Sequence, residues 1–282
     1  MTLADERPPV RVARVIPDVT GLDKEFDYLV PDALRDRVEI GARVRVPLHG
    51  RRVGGWVVAL AAASEVVATE RLVDIAAVSS LGPDAELVSL AEWAAVRWGA
   101  PRVRPFLVQS SPAVMVPALP RRRRTVDVSG EWSPGVELRC LAPLTDPLPE
   151  LIAIVQSGPT VVVHPSPAAA KAVSNRLRKA GFTVALLPEQ WGEAAAGVDV
   201  VVGARGAVWA RCPGLRNMVV LDEHDESLQD ERTPTWHARD VAIERCARAG
   251  ARCVLVSPWP TISGVQAAAR IVRPSASEMA GN

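Results

Sequence analysis

Residues Asn217–Gln229, NMVVLDEHDESLQ, indicate the fold of the second half of the chain. The apolar run Met218–Leu221 is long enough for a buried parallel strand. A polar cluster follows it immediately: Asp222, Glu223, His224, Asp225 and Glu226. Ligands of open α/β sheets bind outside the carboxyl ends of the strands. The cluster is therefore either a metal or nucleotide site or the ordinary charged surface at the end of a strand.

Segments with strand and helix patterns alternate around this stretch. Strands are predicted over residues 136–141, 160–165, 182–188, 198–203 and 251–258, and helices over 148–156, 166–180 and 237–250. Strands that alternate with helices of this length are typical of a doubly wound parallel sheet. We therefore predict one α/β lobe over residues 136–272 and a disordered tail over 273–282.

Residues 1–110 predict a small β-rich domain. Four short strands, over 10–16, 25–30, 42–48 and 52–60, are separated by turns that contain glycine, and a helix runs from Asp84 to Trp98. Period two places Val44 and Val46 on the face opposite Arg43 and Arg45. Residues 111–135 are predicted to be a linker, in which the run Arg121–Arg124 either contacts phosphate or is solvated.

The composition restricts the class of protein. Hydrophobic residues make up 48% of the chain and charged residues 23%, as in globular proteins. A net charge of +1 gives no bulk attraction to nucleic acid, so DNA binding must come from local patches. The four cysteines contain no CxxC pair, which argues against a zinc site. The N-terminus lacks a signal peptide and no apolar run approaches about 20 residues, so we expect a cytoplasmic protein without membrane contact.

Several fragments, in order along the chain, resemble one family. These are FDYLV, GARVRVPLHGR and VGGWVV in the first half, and DEHDESLQ and HARDVAIERCARAG in the second. They are similar to the primosomal protein N′ (PriA) family of bacterial replication-restart helicases, in a degenerate form of actinobacterial type. The resemblance implies action at abandoned replication forks. The implied partners are forked or 3′-ended DNA, primosome and replicative-helicase-loading proteins, and single-strand-binding protein.

The resemblance also implies a pocket for the 3′ end of a DNA strand, formed by Phe26, Asp27 and Gly50. An aromatic face can stack on a base, a carboxylate can accept a hydrogen bond from a 3′-OH, and a glycine turn permits close approach. Period two places Phe26 and Tyr28 on one face and Asp27 on the other, so a shared pocket is expected to require a bend in the strand. The candidate phosphate contacts are Arg43, Arg45, Arg51 and Arg52.

The second half departs from the family pattern. A motor of this family needs GxxxxGK[ST] after its first strand, but residues 142–150 read APLTDPLPE. Aligned without a gap, the family's DEEHD places Leu221 where the Mg²⁺-binding Asp stands. The ATP, Mg²⁺ and structural Zn²⁺ that the family uses are therefore not expected here. We interpret Asp222, Glu223 and His224 as a degenerate form of the acidic motif.

Three functions stay open at this point. The first is a replication-restart protein that binds forked or 3′-ended DNA and helps reload the replisome without helicase activity; no winged-helix domain, zinc insert or second motor lobe is expected. The second is an active DNA-dependent ATPase that takes its phosphate contacts from Arg205 or Arg139. The third is a small-molecule α/β enzyme that uses Asp222, Glu223, His224 and His237.

Overall fold

The computed structural model describes residues 12–22, 24–65, 67–124, 133–142 and 144–279. The contacts of the chain divide it into two compact units, Met1–Ala118 and Leu119–Asn282. Within the described ranges, no helix combines the length and the apolar character needed to cross a membrane. Each unit contains its own main sheet, antiparallel in the first and parallel in the second.

The first unit is built on a five-stranded antiparallel sheet in the order β2-β1-β4-β3-β5. Its strands are β1 (Val12–Pro17), β2 (Phe26–Leu29), β3 (Arg43–Leu48), β4 (Arg51–Ala61) and β5 (Ala77–Ser80). Val44 and Val46 are buried and Arg45 is exposed, so the alternation predicted for β3 is confirmed. The predicted start of the first strand at Val10 lies outside the described residues.

Strand β5 is a correction to the predicted set of four strands. Its sequence, AVSS, is short and shows no clear alternation of apolar and polar residues, because β5 lies at the edge of the sheet and only Ser80 is buried. The predicted helix is present as α1 (Ala85–Arg97), which Asp84 caps by accepting a hydrogen bond from the Leu87 amide. A second, unpredicted helix, α2 (Arg104–Ser110), packs against α1.

The second unit contains a seven-stranded parallel sheet in the order β14-β6-β13-β10-β7-β9-β8. Its strands are β6 (Gly135–Cys140), β7 (Thr160–Val163), β8 (Val184–Leu186), β9 (Val200–Gly203), β10 (Asn217–Val220), β13 (Arg252–Ser257) and β14 (Arg270–Val272). A separate antiparallel pair is formed by β11 (Gln229–Asp230) and β12 (Trp236–His237). The central strands β7, β9 and β10 are buried along their full length, as expected for strands covered on both faces.

The helices of the second unit are α3 (Leu148–Gln156), α4 (Pro167–Lys179), α5 (Trp191–Ala196), α6 (Ala238–Ala249), α7 (Ile262–Ala267) and α8 (Ala276–Met279). Short 3₁₀ helices occur at Asp32–Arg37, Thr69–Arg71, Arg205–Trp209 and Glu226–Leu228. The predicted doubly wound α/β architecture is confirmed. The sequence pattern did not indicate α5, α7 or β14, because each is at most six residues long. Helix α8 lies in the stretch predicted to be disordered, whose last residues are outside the described part.

The stretch predicted as a linker makes specific contacts in the part that the structure describes. In the first unit, the Leu81 amide donates to the carbonyl of Val116 and the Val116 amide donates to Ser80. In the second unit, the Arg123 amide donates to the carbonyl of Gly197, and Arg124 donates to two further carbonyls. The Arg121–Arg124 run is therefore partly held by the second unit, whereas residues 125–132 lie outside the description.

Candidate functional site

A pocket of about 700 Å³ lies at the outer edge of β2, the edge strand of the first sheet. Its walls come from β2 itself, from the end of β3 and the following turn, and from the segment Arg71–Val73. Beyond the pocket, the Leu29 amide donates to the Val73 carbonyl and the Ile75 amide donates to the Leu29 carbonyl. Successive residues of a strand point their backbone groups in opposite directions, so the amide and carbonyl of Asp27 face the same edge as those of Leu29.

The Asp27 carboxylate is held by two donors. It faces Arg14 across the β1–β2 pair and accepts hydrogen bonds from Arg14 Nε at 3.0 Å and from Ser64 Oγ at 2.6 Å. Burial raises the pKa of Asp27, but the Ser64 hydroxyl and the Arg14 guanidinium together outweigh burial and hold this pKa below its ordinary value. Asp27 is therefore ionised at neutral pH. An ionised carboxylate offers about four lone-pair positions, so these two donors leave acceptor capacity for a ligand.

Phe26 and Tyr28 lie on the face opposite Asp27, as period two predicts. Tyr28 is buried in the core of the unit, and its Oη donates to the Pro47 carbonyl at 3.1 Å. Phe26 is half-buried and packs against the same core. All three residues nevertheless line the pocket. The expected bend in the strand stays a prediction.

The turn between β3 and β4 contributes His49 to the pocket, whereas Gly50 is not among the lining residues. Both residues have positive φ, 48° for His49 and 76° for Gly50, which is the combination found in tight hairpin turns. A Cβ at Gly50 would have no heavy atom within 4 Å. Glycine therefore suits this position through its backbone conformation, and the expected role of Gly50 in close approach to DNA stays a prediction.

The four candidate arginines divide into two groups. Arg43 is half-buried, pairs with Asp18 at 3.1 Å and lies 5.2 Å from the centre of the Trp56 ring, so its guanidinium is engaged within the unit. Arg45, Arg51 and Arg52 are exposed on β3 and β4. The exposed group remains available to phosphate in the way that the sequence suggests.

Sequence reasoning missed several residues that line the pocket or hold Asp27. Ser64 and Arg71 come from a segment without regular periodicity, more than thirty residues from β2 along the chain. Arg14 could have been identified, since it interrupts the apolar run of β1 on the face that antiparallel pairing gives to Asp27.

Comparison with known proteins identifies the relatives of the chain. A family model described as the PriA 3′DNA-binding domain (3′BD) matches residues 14–106, which include the pocket. The probable replication restart protein PriA of Mycobacterium tuberculosis (strain ATCC 25618 / H37Rv) is 29% identical over 289 residues, which cover 83% of this chain and 42% of the relative. The chain is therefore similar to a PriA replication restart protein over most of its length, and residues 14–106 match the 3′DNA-binding domain.

Two further relatives match a shorter part of the chain at higher identity. The replication restart protein PriA of Treponema pallidum (strain Nichols) is 40% identical over 63 residues, covering 22% of this chain and 10% of the relative. That of Bacillus subtilis (strain 168) is 38% identical over 65 residues, covering 23% of this chain and 8% of the relative. The match covers 42% of the mycobacterial relative, so the chain spans about two fifths of the length of that protein.

The acidic cluster follows β10 directly, as predicted. Within it, Glu223 is surrounded by protein groups. Its carboxylate is fully buried and accepts hydrogen bonds from the Thr261 amide at 2.6 Å, the Thr261 hydroxyl at 2.9 Å and Arg239 Nη1 at 3.3 Å. A Cβ added at Gly264 would lie 2.9 Å from Glu223 Oε1. Glu223 thus joins the end of β10 to the first turns of α6 and α7.

The neighbouring residues also make contacts within the unit. Asp222 has φ +48° and lies 3.7 Å from His164 Nε2, while His224 Nδ1 is 2.8 Å from Ser257 Oγ. His237 caps α6 by accepting a hydrogen bond from the Arg239 amide. In the residues that the structure describes, no group of three or more His, Cys, Asp or Glu side chains is arranged to hold a metal.

The position of the family's phosphate-binding loop carries acidic side chains in this chain. Asp146, just before α3, accepts from the Leu148 amide at 3.0 Å and pairs with Arg176, and these two donors lower the pKa of Asp146. Glu150, in the first turn of α3, pairs with Arg139, which also bonds Glu137. A helix N-terminus attracts anions, but here the chain supplies its own carboxylates, which would repel a triphosphate.

The two arginines considered as substitutes for a phosphate-binding lysine have protein partners. Arg139 is held between Glu137 and Glu150. Arg205 donates to the carbonyl of Ser227 at 3.2 Å and lies 3.6 Å from Asp230. Using Arg139 for a nucleotide would require breaking its pairs with Glu137 and Glu150. Using Arg205 would remove one of the two arginines near Asp230, since Arg232 lies 3.5 Å from the same carboxylate.

Proposed function

We propose that this PriA-related chain binds forked or 3′-ended DNA in the pocket at the edge of β2 and serves replication restart without hydrolysing ATP. The observation that carries the proposal is the ionised Asp27 at an open edge pocket, inside the region matched by the 3′DNA-binding model. A DNA end must enter a cleft that an internal stretch of strand cannot fill, and a pocket of about 700 Å³ provides room for a terminal nucleotide.

The chemistry of the pocket favours a free hydroxyl. A 3′-OH donates one hydrogen bond to Asp27, whereas a 3′-phosphate would bring two negative charges against a carboxylate. Arg14 keeps Asp27 ionised and limits the cost of burying its charge. Phe26 offers an aromatic surface to the terminal base, and the exposed Arg51 and Arg52 suit the phosphates behind it.

The second unit has a different part in the proposal. Its candidate nucleotide positions contain Asp146 and Glu150, which are already paired with arginines, and a Glu223 that is enclosed by protein donors. These contacts support the proposal that the second unit has kept its α/β fold but lacks the groups that would neutralise a triphosphate. We propose that the lobe acts as a platform for the proteins that reload the replicative helicase.

The test compares two fork substrates that differ only at the 3′ end of the nascent strand. Wild-type protein and Asp27→Ala are titrated against 5′-labelled forks that carry a 3′-OH or a 3′-phosphate. A hydrogen bond to a charged group contributes about 1.5–3 kcal/mol, so we expect the wild type to prefer the 3′-OH by roughly tenfold or more. Asp27→Ala should lose that preference.

Asp32→Ala is the matched control, because Asp32 is highly exposed, pairs only locally with Arg35 and lies outside the pocket. It removes the same charge and should keep the preference of the wild type. Equal affinity of the wild type for the two ends, or an unchanged preference in Asp27→Ala, would contradict the proposal.

A further inference from the structure

A second pocket, of about 320 Å³, lies beside the edge pocket in the first unit. Glu25 lines both pockets, so they are neighbours on either side of a single residue. Its charged lining residues are three cations, Lys24, Arg102 and Arg104, and the single carboxylate of Glu25, and its other lining residues are apolar. We call it the basic pocket.

The charge of the basic pocket is positive. Asp18 pairs with Arg104 at 2.6 Å and with Arg43 at 3.1 Å, so one carboxylate is shared by two guanidinium groups. Among the described residues, neither Lys24 nor Arg102 has a carboxylate at ion-pair distance. Arg102 Nη2 donates to the Gly21 carbonyl at 3.4 Å, while its buried Nε has no acceptor in the described part of the chain. A bound anion would supply that acceptor and reduce the excess of positive charge.

From this arrangement we infer that the basic pocket binds phosphodiester groups of the same DNA strand whose 3′ end occupies the edge pocket. The inference rests on the proposed function, because it takes the direction of the strand from the position of the terminal nucleotide. Lys24 is three residues from Asp27, and extended chain spans at most about 3.6 Å per residue, so their backbones lie within about 11 Å. That distance corresponds to the first few phosphates behind the strand end.

The arrangement separates two tasks between two pockets. Asp27 recognises the terminal hydroxyl, and Lys24 with Arg102 holds the backbone that leads to it. Glu25, which lines both pockets, lies 3.9 Å from Arg14, and this guanidinium offsets its negative charge where the strand passes. A strand therefore enters with its neutral hydroxyl toward the carboxylates and its charged backbone toward the cations.

The test measures the salt dependence of binding to a 5′-labelled single-stranded oligonucleotide that ends in a 3′-OH. Each phosphate contact on single-stranded DNA contributes about 0.7 to the slope of log K against log salt. We expect the double variant Lys24→Gln/Arg102→Gln to lower that slope by about 1.4 and to keep the preference for 3′-OH over 3′-phosphate. Arg35→Gln removes one exposed charge outside both pockets and should leave the slope unchanged.

Lys24→Gln alone is a second variant, since Lys24 is exposed and its replacement does not disturb the fold; it should lower the slope by about 0.7. Neutral methylphosphonate linkages near the 3′ end should lower the wild-type slope equally and have no further effect on the double variant. The inference would be overturned if the salt slope of both variants equalled that of the wild type. It would also be overturned if methylphosphonate linkages lowered the slope of the double variant further. If the wild type showed no preference for a 3′-OH over a 3′-phosphate, the edge-pocket proposal would be refuted instead.

Discussion

Asp27 in the first unit and Glu223 in the second are both buried carboxylates paired with an arginine, yet their surroundings differ. Asp27 has two protein donors and borders a pocket of about 700 Å³. Glu223 is fully buried, has three donors and packs against Gly264. The same pairing chemistry therefore supports a ligand site in one place and a structural junction in the other. The deciding factor is whether neighbouring groups leave space and acceptor capacity.

The largest expected effect is on the stability of the second unit. Glu223→Ala leaves the buried Arg239 with only Asp240 as a counter-charge, and breaking a buried pair costs about 3 kcal/mol or more. Hydrogen exchange of peptides from α6 and α7 should show the loss, while peptides of the first unit and the affinity for DNA should not change. Asp222→Asn is the control, since Asp222 is half-exposed and asparagine also tolerates its φ of +48°; this variant should cost less than about 0.5 kcal/mol. Equal effects of the two variants would contradict the structural role of Glu223.

A smaller effect is expected when one donor of Asp27 is removed. Ser64→Ala deletes the 2.6 Å hydrogen bond and should destabilise the segment around β2 by about 1.5 kcal/mol, because the acceptor is charged. Arg14 still holds the carboxylate, so the preference for a 3′-OH should stay within about twofold of the wild type. Ser79→Ala, which removes a hydroxyl bonded to a neutral carbonyl, should cost about half as much. Loss of the 3′-OH preference in Ser64→Ala would show that Arg14 alone does not position Asp27.

The smallest expected effect is a difference between the two units in how their stability depends on pH. Burial, followed by the charge of Arg239, lowers the pKa of His237, so the unfolded chain takes up its proton first, near pH 6.5. The stability that neutral His237 contributes is fully present above that pH. It declines as the pH falls toward the pKa of His237 in the folded chain. We expect the protection of α6 to fall by at most about 1.4 kcal/mol between pH 7.5 and 5.5, after correction for intrinsic exchange rates.

His237→Asn is the control, because asparagine also caps helices but does not titrate; it should reduce this dependence. The first unit offers the opposite case. The lowered pKa of Asp27 gives stability that is complete above about pH 3.9 and is lost only as the pH falls through the folded value, so Asp27 should not contribute to a change between pH 7.5 and 5.5. A fall in the protection of β2 that Asp27→Asn removes would contradict the environment described for Asp27.

Periodicity predicted the parts of this molecule that repeat regularly. The apolar runs at β7, β9 and β10 indicated the parallel sheet, and the alternation in FDYL placed Phe26 and Tyr28 opposite Asp27. Short edge elements such as β5 and β14 were missed, because an exposed edge needs few apolar residues.

The environment of each carboxylate was beyond the reach of sequence patterns. Ser64 lies 37 residues from Asp27, and Thr261 lies 38 residues from Glu223. No local spacing relates such pairs, so whether a carboxylate faces a pocket or a packed junction depends on tertiary structure. The cluster after β10 was placed correctly, and only the fold shows that Glu223 within it is fully buried.

We propose that the chain holds a DNA end without turning over ATP, and ATP hydrolysis on bound fork DNA tests this proposal. Phosphate release from Mg-ATP is followed for the full chain at a concentration of 3′-OH fork that saturates binding, beside Asp222→Ala. We expect the wild type to bind the fork and to release no more phosphate than Asp222→Ala releases. Fork-stimulated release that Asp222→Ala abolishes would contradict the proposal, because the acidic corner would then be a working catalytic site.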